Sequence, residues 1–166
     1  MTLGDPYKFA ILIDRIDDWN MDDTFCNGLL LLCVNGIIYP NEIQTATLQH
    51  EIEPLKQNLL NLATDQRLYA LPSHQAFLEI YNITFPEDID AANDYRFDIT
   101  PSLLSDNNCF VFAVCDGENV RILASKLDYD IENAKHKLQD INVCEVFLSV
   151  AELEEIISGL ENFSYR

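Results

Sequence analysis

Apolar positions gather in short blocks along this chain, and the sharpest block runs from Gly28 to Val34. Every side chain after the glycine is apolar there, so the segment has no polar face to turn toward water. It is strand-sized, and Asn35-Gly36 follows it directly. Asn-Gly supplies the two positive φ angles of a type I′ turn, whose twist matches two antiparallel strands. Ile37 to Tyr39 reads as the returning arm, stopped by Pro40, which cannot donate to a ladder. The pattern predicts a hairpin at the centre of an antiparallel sheet covered on both faces. A buried turn of helix is the competing reading, and Asn-Gly argues against it.

The same reasoning, extended along the chain, predicts a first strand over Phe9 to Ile13 and then an Asp-rich loop from Asp14 to Thr24, since Asp and Asn favour turns. Glu42 to Leu48 reads as a third strand. Leu48, Ile52, Leu55, Leu59 and Leu62 recur at helical spacing. Pro54 belongs in a first turn, which sets the helix start near Glu51 and leaves Leu48 to the strand. Leu68 to Leu71 reads as a short extended piece. A second helix runs from Ser73, its N-cap, to about Thr84. Tyr95 to Ile99 reads as a modest strand. Cys109 to Cys115 and Asn119 to Leu127 form a second hairpin around Asp116-Gly117, its first arm apolar on both faces. Residues 128–142 carry no decisive pattern. Val143 to Leu148 is a final strand, and Ser149-Val-Ala-Glu152 is a capping box opening a helix with Leu153, Ile156, Ile157 and Leu160 on one face. The sum is an α+β fold, a mostly antiparallel sheet of about six strands with about three helices, in one domain over residues 1–166.

Composition changes the picture in one respect. Twenty-eight acids against ten Lys and Arg give a formal charge of −18. Direct nucleic-acid binding is disfavoured, because such proteins neutralise phosphates with basic patches. Anionic membrane surfaces are disfavoured on the same grounds, and no run approaches the ~20 apolar residues of a membrane span. The N-terminus lacks the basic and long apolar regions of a secretory signal. Five cysteines, an odd number without a C-x-x-C pair, suit buried thiols in a reducing compartment, with the cytoplasm as default. The acid excess serves either solubility or the capture of a basic partner, whose encounter its field would accelerate.

Little in the sequence carries catalytic chemistry. His50, His74 and His136 lie far apart and form no metal-ligating pattern, and no nucleophile elbow, Walker loop or dinucleotide fingerprint occurs. Asp128-Tyr-Asp-Ile-Glu132 has acids at alternate positions, but a calcium loop starting there would place Asn133 at its sharp turn and Gln139 where a bidentate Glu belongs. No cofactor is expected. Two acidic constellations remain. Asp17, Asp18, Asp22 and Asp23 surround Trp19, the only tryptophan, and Glu87, Asp88, Asp90 and Asp94 form a second patch. Each is either a partner-binding surface, with carboxylates for Lys and Arg and Trp as an anchor, or a solvated face.

Gly4-Asp-Pro-Tyr-Lys-Phe-Ala-Ile11, then Trp19-Asn20, Asn27-Gly28 and the arm from Val34 to Pro40, together resemble the immunity protein 42 family. Val120 to Leu123 and the strand and helix from Val143 to Ile157 are similar too. Those proteins accompany polymorphic toxin and contact-dependent growth inhibition systems. The resemblance implies a cytoplasmic antidote that binds the C-terminal domain of a cognate toxin one to one and blocks it without chemistry of its own. Many such toxins are nucleases with basic clefts. It transfers no catalytic residue and no defined contact motif. The alternatives are a general acidic adaptor with several basic clients and a small enzyme with an unrecognised site.

Overall fold

The structure is a computed structural model that describes residues 1–21 and 24–165. It has the α+β class read from the pattern, and every paired strand in it runs antiparallel to its neighbour. A five-stranded sheet contains β1 (Thr2–Gly4), β2 (Phe9–Arg15), β3 (Asn27–Val34), β4 (Ile37–Tyr39) and the two-residue β5 (Ala46–Thr47). Helices α1 (Leu48–Leu60), α2 (Gln66–Ala70), α3 (Ser73–Thr84) and the short α4 (Ser102–Ser105) follow. A three-stranded sheet then places β7 (Asn119–Lys126) between β6 (Cys109–Cys115) and β10 (Cys144–Ser149). The hairpin of β8 (Tyr129–Asp130) and β9 (Lys135–His136) interrupts it, and α5 (Val150–Glu161) ends the fold.

Both expected hairpins form. Asn35 and Gly36 take φ of 52° and 76°, the left-handed pair a type I′ turn requires. In the second, Gly117 has φ 109°, and the Asp116 carboxylate accepts the Glu118 and Asn119 N–H groups. The capping box is complete, with Ser149 Oγ accepting Glu152 N–H and Glu152 Oε2 accepting Ser149 N–H at 2.8 Å.

One buried cluster lies between the two larger sheets and under α1 and α5. Phe9, Ile11, Ile13, Leu30 and Leu32 meet Val111, Ala113, Ile122 and Val146 there, with Ile52, Leu55 and Ile156 from the helices. A second cluster fills the far side of the three-stranded sheet, where Phe110, Phe112, Val114 and Leu123 pack against Phe77, Ile80 and Tyr81 of α3. The β6–β7 hairpin is thus covered on both faces, as its all-apolar first arm demands. The β3 hairpin departs from expectation. Leu30, Leu32 and Val34 are buried, but Leu29 and Leu31 are only half-buried, because both helices lie on one side of this sheet.

Other departures have local causes. Helix α1 starts at Leu48, so Pro54 is inside it and not in its first turn. An interior proline costs about 3 kcal/mol. Burial of Leu48, Ile52, Leu55 and Leu59, at roughly 1.5–3 kcal/mol each, outweighs that, and Pro54 itself is exposed. The strand expected over Glu42 to Leu48 shrinks to Ala46–Thr47, which pairs with Asn27 and Gly28 on the edge of β3 that β4 shares at Leu32 to Val34. Leu68 to Leu71 is mostly helix and not extended: Asp65 caps α2 by accepting Leu68 N–H at 2.8 Å. Helix α3 includes Ser73 as its first residue, with Pro72 at the cap position. Tyr95 to Ile99 is no strand. It touches β6 through the Asp98–Phe112 bridge and two backbone bonds, then turns as the Asp98 carboxylate takes the Thr100 N–H.

Within residues 128–142, the β8–β9 turn is built by Asp130, whose carboxylate accepts Glu132 N–H, Asn133 N–H and Asn133 Nδ2. These bonds hold the carboxylate below its usual range. The hairpin is pinned to the core by His136, which meets Tyr81 Oη at 2.7 Å and Asn108 Oδ1 at 2.9 Å.

Gly28 is required where β2, β3 and β5 meet. A Cβ there would lie 2.1 Å from the Asp14 carbonyl oxygen and 2.9 Å from a Leu48 methyl. Gly28→Ala should cost about 3 kcal/mol or more, because backbone cannot yield as a side-chain tip can. Thermal unfolding should register this as a fall of about 10 °C; a shift under about 2 °C would show that the strands separate freely.

Candidate functional site

The first acidic constellation lies where β2 hands over to β3. Asp17, Asp18 and Trp19 form a single 3-10 turn, and Trp19 is 40% exposed, neither folded into the core nor fully free. Asp17 is paired with Arg15, while Asp18 makes no ion pair among the described residues. Asp22 and Asp23 lie outside the described residues.

Asn20 and Asn27, both within the short motifs that carry the family resemblance, hold this end together. Asn20 Nδ2 donates to the carbonyls of Ile16 and Asn27 at 2.7 and 2.8 Å, and its Oδ1 accepts Asn27 N–H at 2.6 Å. Asn27 Nδ2 returns a bond to the Trp19 carbonyl. Asn20 lies within the acidic run and Asn27 just beyond it, positions from which short amide side chains readily satisfy turn backbone. Thr47 Oγ1 adds a longer bond to Asn27 Oδ1, tying the turn to β5.

The second constellation follows α3 and is more internally spent. Asp88 accepts the Asp90 N–H, and Asp94 binds Arg96 through both its N–H and its guanidinium. Glu87 faces Lys135 at 3.6 Å. Among the described residues the two constellations share no hydrogen bond or ion pair.

The acid excess remains after pairing. Lys8, Lys56, Arg67 and Arg121 are engaged by Glu152, Glu53, Glu79 and Glu145. Arg15, Arg96 and Lys135 are also taken. With ten cations against twenty-eight acids, most carboxylates are left without a basic partner on the chain itself.

The groups with displaced protonation serve the fold. Burial raises the carboxyls of Glu51 and Asp98, lowers His136 and pushes the Tyr81 hydroxyl up to about 12. His136 has both ring nitrogens occupied and Phe110 and Tyr129 edge-on around it, so neither nitrogen is available as a base in this arrangement. Among the described residues no group of three or more His, Cys, Asp or Glu is placed to hold a metal, and no helix is long and apolar enough to cross a membrane. What the surface offers is fixed carboxylates beside a partly exposed tryptophan.

A comparison with curated proteins gives no match. Among solved structures, the crystal structure of CdiI from Burkholderia dolosa is similar over 99% of this chain and 100% of its own, with a TM-score of 0.78 at 23% sequence identity. That likeness is one of fold. The model of the family described as immunity protein 42 matches residues 1–163. The chain belongs to the immunity protein 42 family.

Proposed function

We propose that the protein is the cytoplasmic antidote of a toxin made beside it, in a polymorphic toxin or contact-dependent growth inhibition system. It binds the toxin's C-terminal domain one to one and covers the active surface, with no chemistry of its own. The observation that carries this reading is the family match over residues 1–163. The charge of −18 supports a narrower form, in which the target is a nuclease whose basic cleft the acidic protein occupies in place of the polyanion. Asp17, Asp18, Trp19, Asp22 and Asp23 form the leading contact loop of this proposal, and Glu87, Asp88, Asp90 and Asp94 the second. Protection needs nearly every toxin molecule neutralised, which sets the affinity near nanomolar, or roughly −12 kcal/mol.

The direct test is titration of the purified toxin domain with this protein. Activity should fall linearly and vanish at equivalence; activity untouched by a stoichiometric excess would end the antidote reading.

Charge should act mainly on encounter. At ~0.15 M salt the Debye length is about 8 Å, so long-range steering is screened while contacts inside an interface are screened far less. Stopped-flow association rates should therefore drop steeply from low to high salt, with dissociation changing little. A flat association rate would mean that the charge serves solubility alone.

A further inference from the structure

The register of the five-stranded sheet sorts its side chains unequally. Phe9, Ile11, Ile13, Leu30, Leu32 and Val34 enter the core. The alternate positions form the opposite face: Ala10, Leu12 and Asp14 on β2, with Leu29, Leu31 and Cys33 on β3. Ile38 of β4, opposite Cys33, extends it. Leu12, Leu29, Leu31 and Ile38 belong to neither buried cluster, and Ile38 is 44% exposed. Met1, Leu12, Asp14, Leu29 and Leu31 line a shallow concavity of about 250 Å³.

This face is continuous with the acidic turn. Asn27 sits on it two residues before Leu29, and its side chain reaches the Trp19 carbonyl at 3.1 Å. Asp14, opposite Leu29, is the one charged side chain that the β1–β4 register places on the face, and it stands at the same end. Neither Asp14 nor Asp18 has an ion-pair partner among the described residues. An apolar centre beside unpaired carboxylates is how an interface with a basic protein is built. A second copy of this chain is the poorer occupant, because it would bring another −18 and set carboxylate against carboxylate.

We propose that the outer face of the five-stranded sheet is the centre of the toxin-docking surface. The occupant is a basic protein domain that lays an apolar side chain over Leu12, Leu29 and Leu31 and sets Lys or Arg against Asp14 and Asp18. The assignment rests on the antidote reading given above and names the face it uses.

Leu31→Arg tests it, placing a long cation at the middle of the face, and Leu60→Arg on the exposed side of α1 is the control. The probe is the purified C-terminal toxin domain encoded immediately upstream, followed by calorimetry. With melting temperature unchanged, Leu31→Arg should bind about 100-fold more weakly, the scale of losing a central interface anchor. Leu60→Arg should bind as the parent does. Parental affinity in a folded Leu31→Arg protein overturns the docking face, while neutralisation by the parent keeps the antidote reading. A parent that neither binds nor neutralises ends both. A parent that sediments as a dimer, and becomes a monomer on Leu31→Arg, overturns the assignment in favour of self-association. If Leu31→Arg does not fold, the parent's own methyl resonances decide. Those of Leu12, Leu29 and Leu31 should shift on toxin addition, and unmoved resonances overturn the proposal.

Discussion

Arg121→Ala should destabilise the protein by about 3–5 kcal/mol, the scale of removing one partner from a buried charged network. Arg121 is 3% exposed at the middle of β7. Its Nη1 donates to the carbonyls of Tyr69 and Leu71 at 2.8 and 2.6 Å, and more distantly to that of Leu68. Its Nε and Nη2 both reach Glu145 Oε2, and the guanidinium lies over the Phe147 ring. One side chain thus closes the C-terminal end of α2, where helix carbonyls lack intrahelical donors and carry partial negative charge. Truncation would strand those carbonyls against the three-stranded sheet. Arg121→Lys should recover only part of the loss, since an ammonium cannot present the same planar fork. Glu145→Ala should also be destabilising, because it leaves the buried guanidinium without its counter-ion. Chemical denaturation would measure all three, and a loss below about 1 kcal/mol for Arg121→Ala would mean that water replaces the guanidinium at no cost.

Replacing Asp17, Asp18, Asp22 and Asp23 together by Asn should weaken toxin binding by several kcal/mol while leaving the fold intact. A hydrogen bond to a charged group is worth about 1.5–3 kcal/mol, and neutralising the carboxylate forfeits it. The structure ranks the two carboxylates it describes. Asp17 already neutralises Arg15, so Asp17→Asn releases a cation as well as removing an anion. Asp18 has no such internal duty among the described residues and should matter more by itself. Calorimetry against the toxin domain, with a melting curve for each variant, separates recognition from folding. A fourfold variant that melts and binds like the parent would assign this loop to solvent. Trp19→Ala is a poorer probe, because a half-covered tryptophan contributes to both.

The sequence disclosed most where one residue type admits one role. Asn35-Gly36 and Ser149 with Glu152 are of that kind, and both stand as read. It disclosed less where a local preference competes with distant packing. Pro54 signals a helix start, yet four buried side chains carry the helix through it. Leu68 and its neighbours show no period long enough to distinguish helix from strand, and the Asp65 carboxylate makes the choice. The candidate site was legible only as charge. Runs of Asp can be seen in a sequence, but the Asn20–Asn27 pairing that shapes one run depends on two strands meeting. The outer face of β3, expected to be covered and found half-exposed, is the most instructive departure. A strand with four consecutive leucines says that both its faces are apolar and is silent about what covers the second.

The clasp between Asn20 and Asn27 has an evolutionary consequence. The backbone around the Asp17–Trp19 turn is held by amide groups that need nothing from a partner. Ordering a residue's backbone costs roughly 1–2 kcal/mol, and here that cost is met during folding and not at encounter. Asp18, exposed on the turn and without an ion pair among the described residues, is consequently free to drift. On the contact assignment proposed above, a lineage facing an altered toxin can exchange Asp18 while the clasp keeps the frame, so specificity can diverge faster than the fold beneath it.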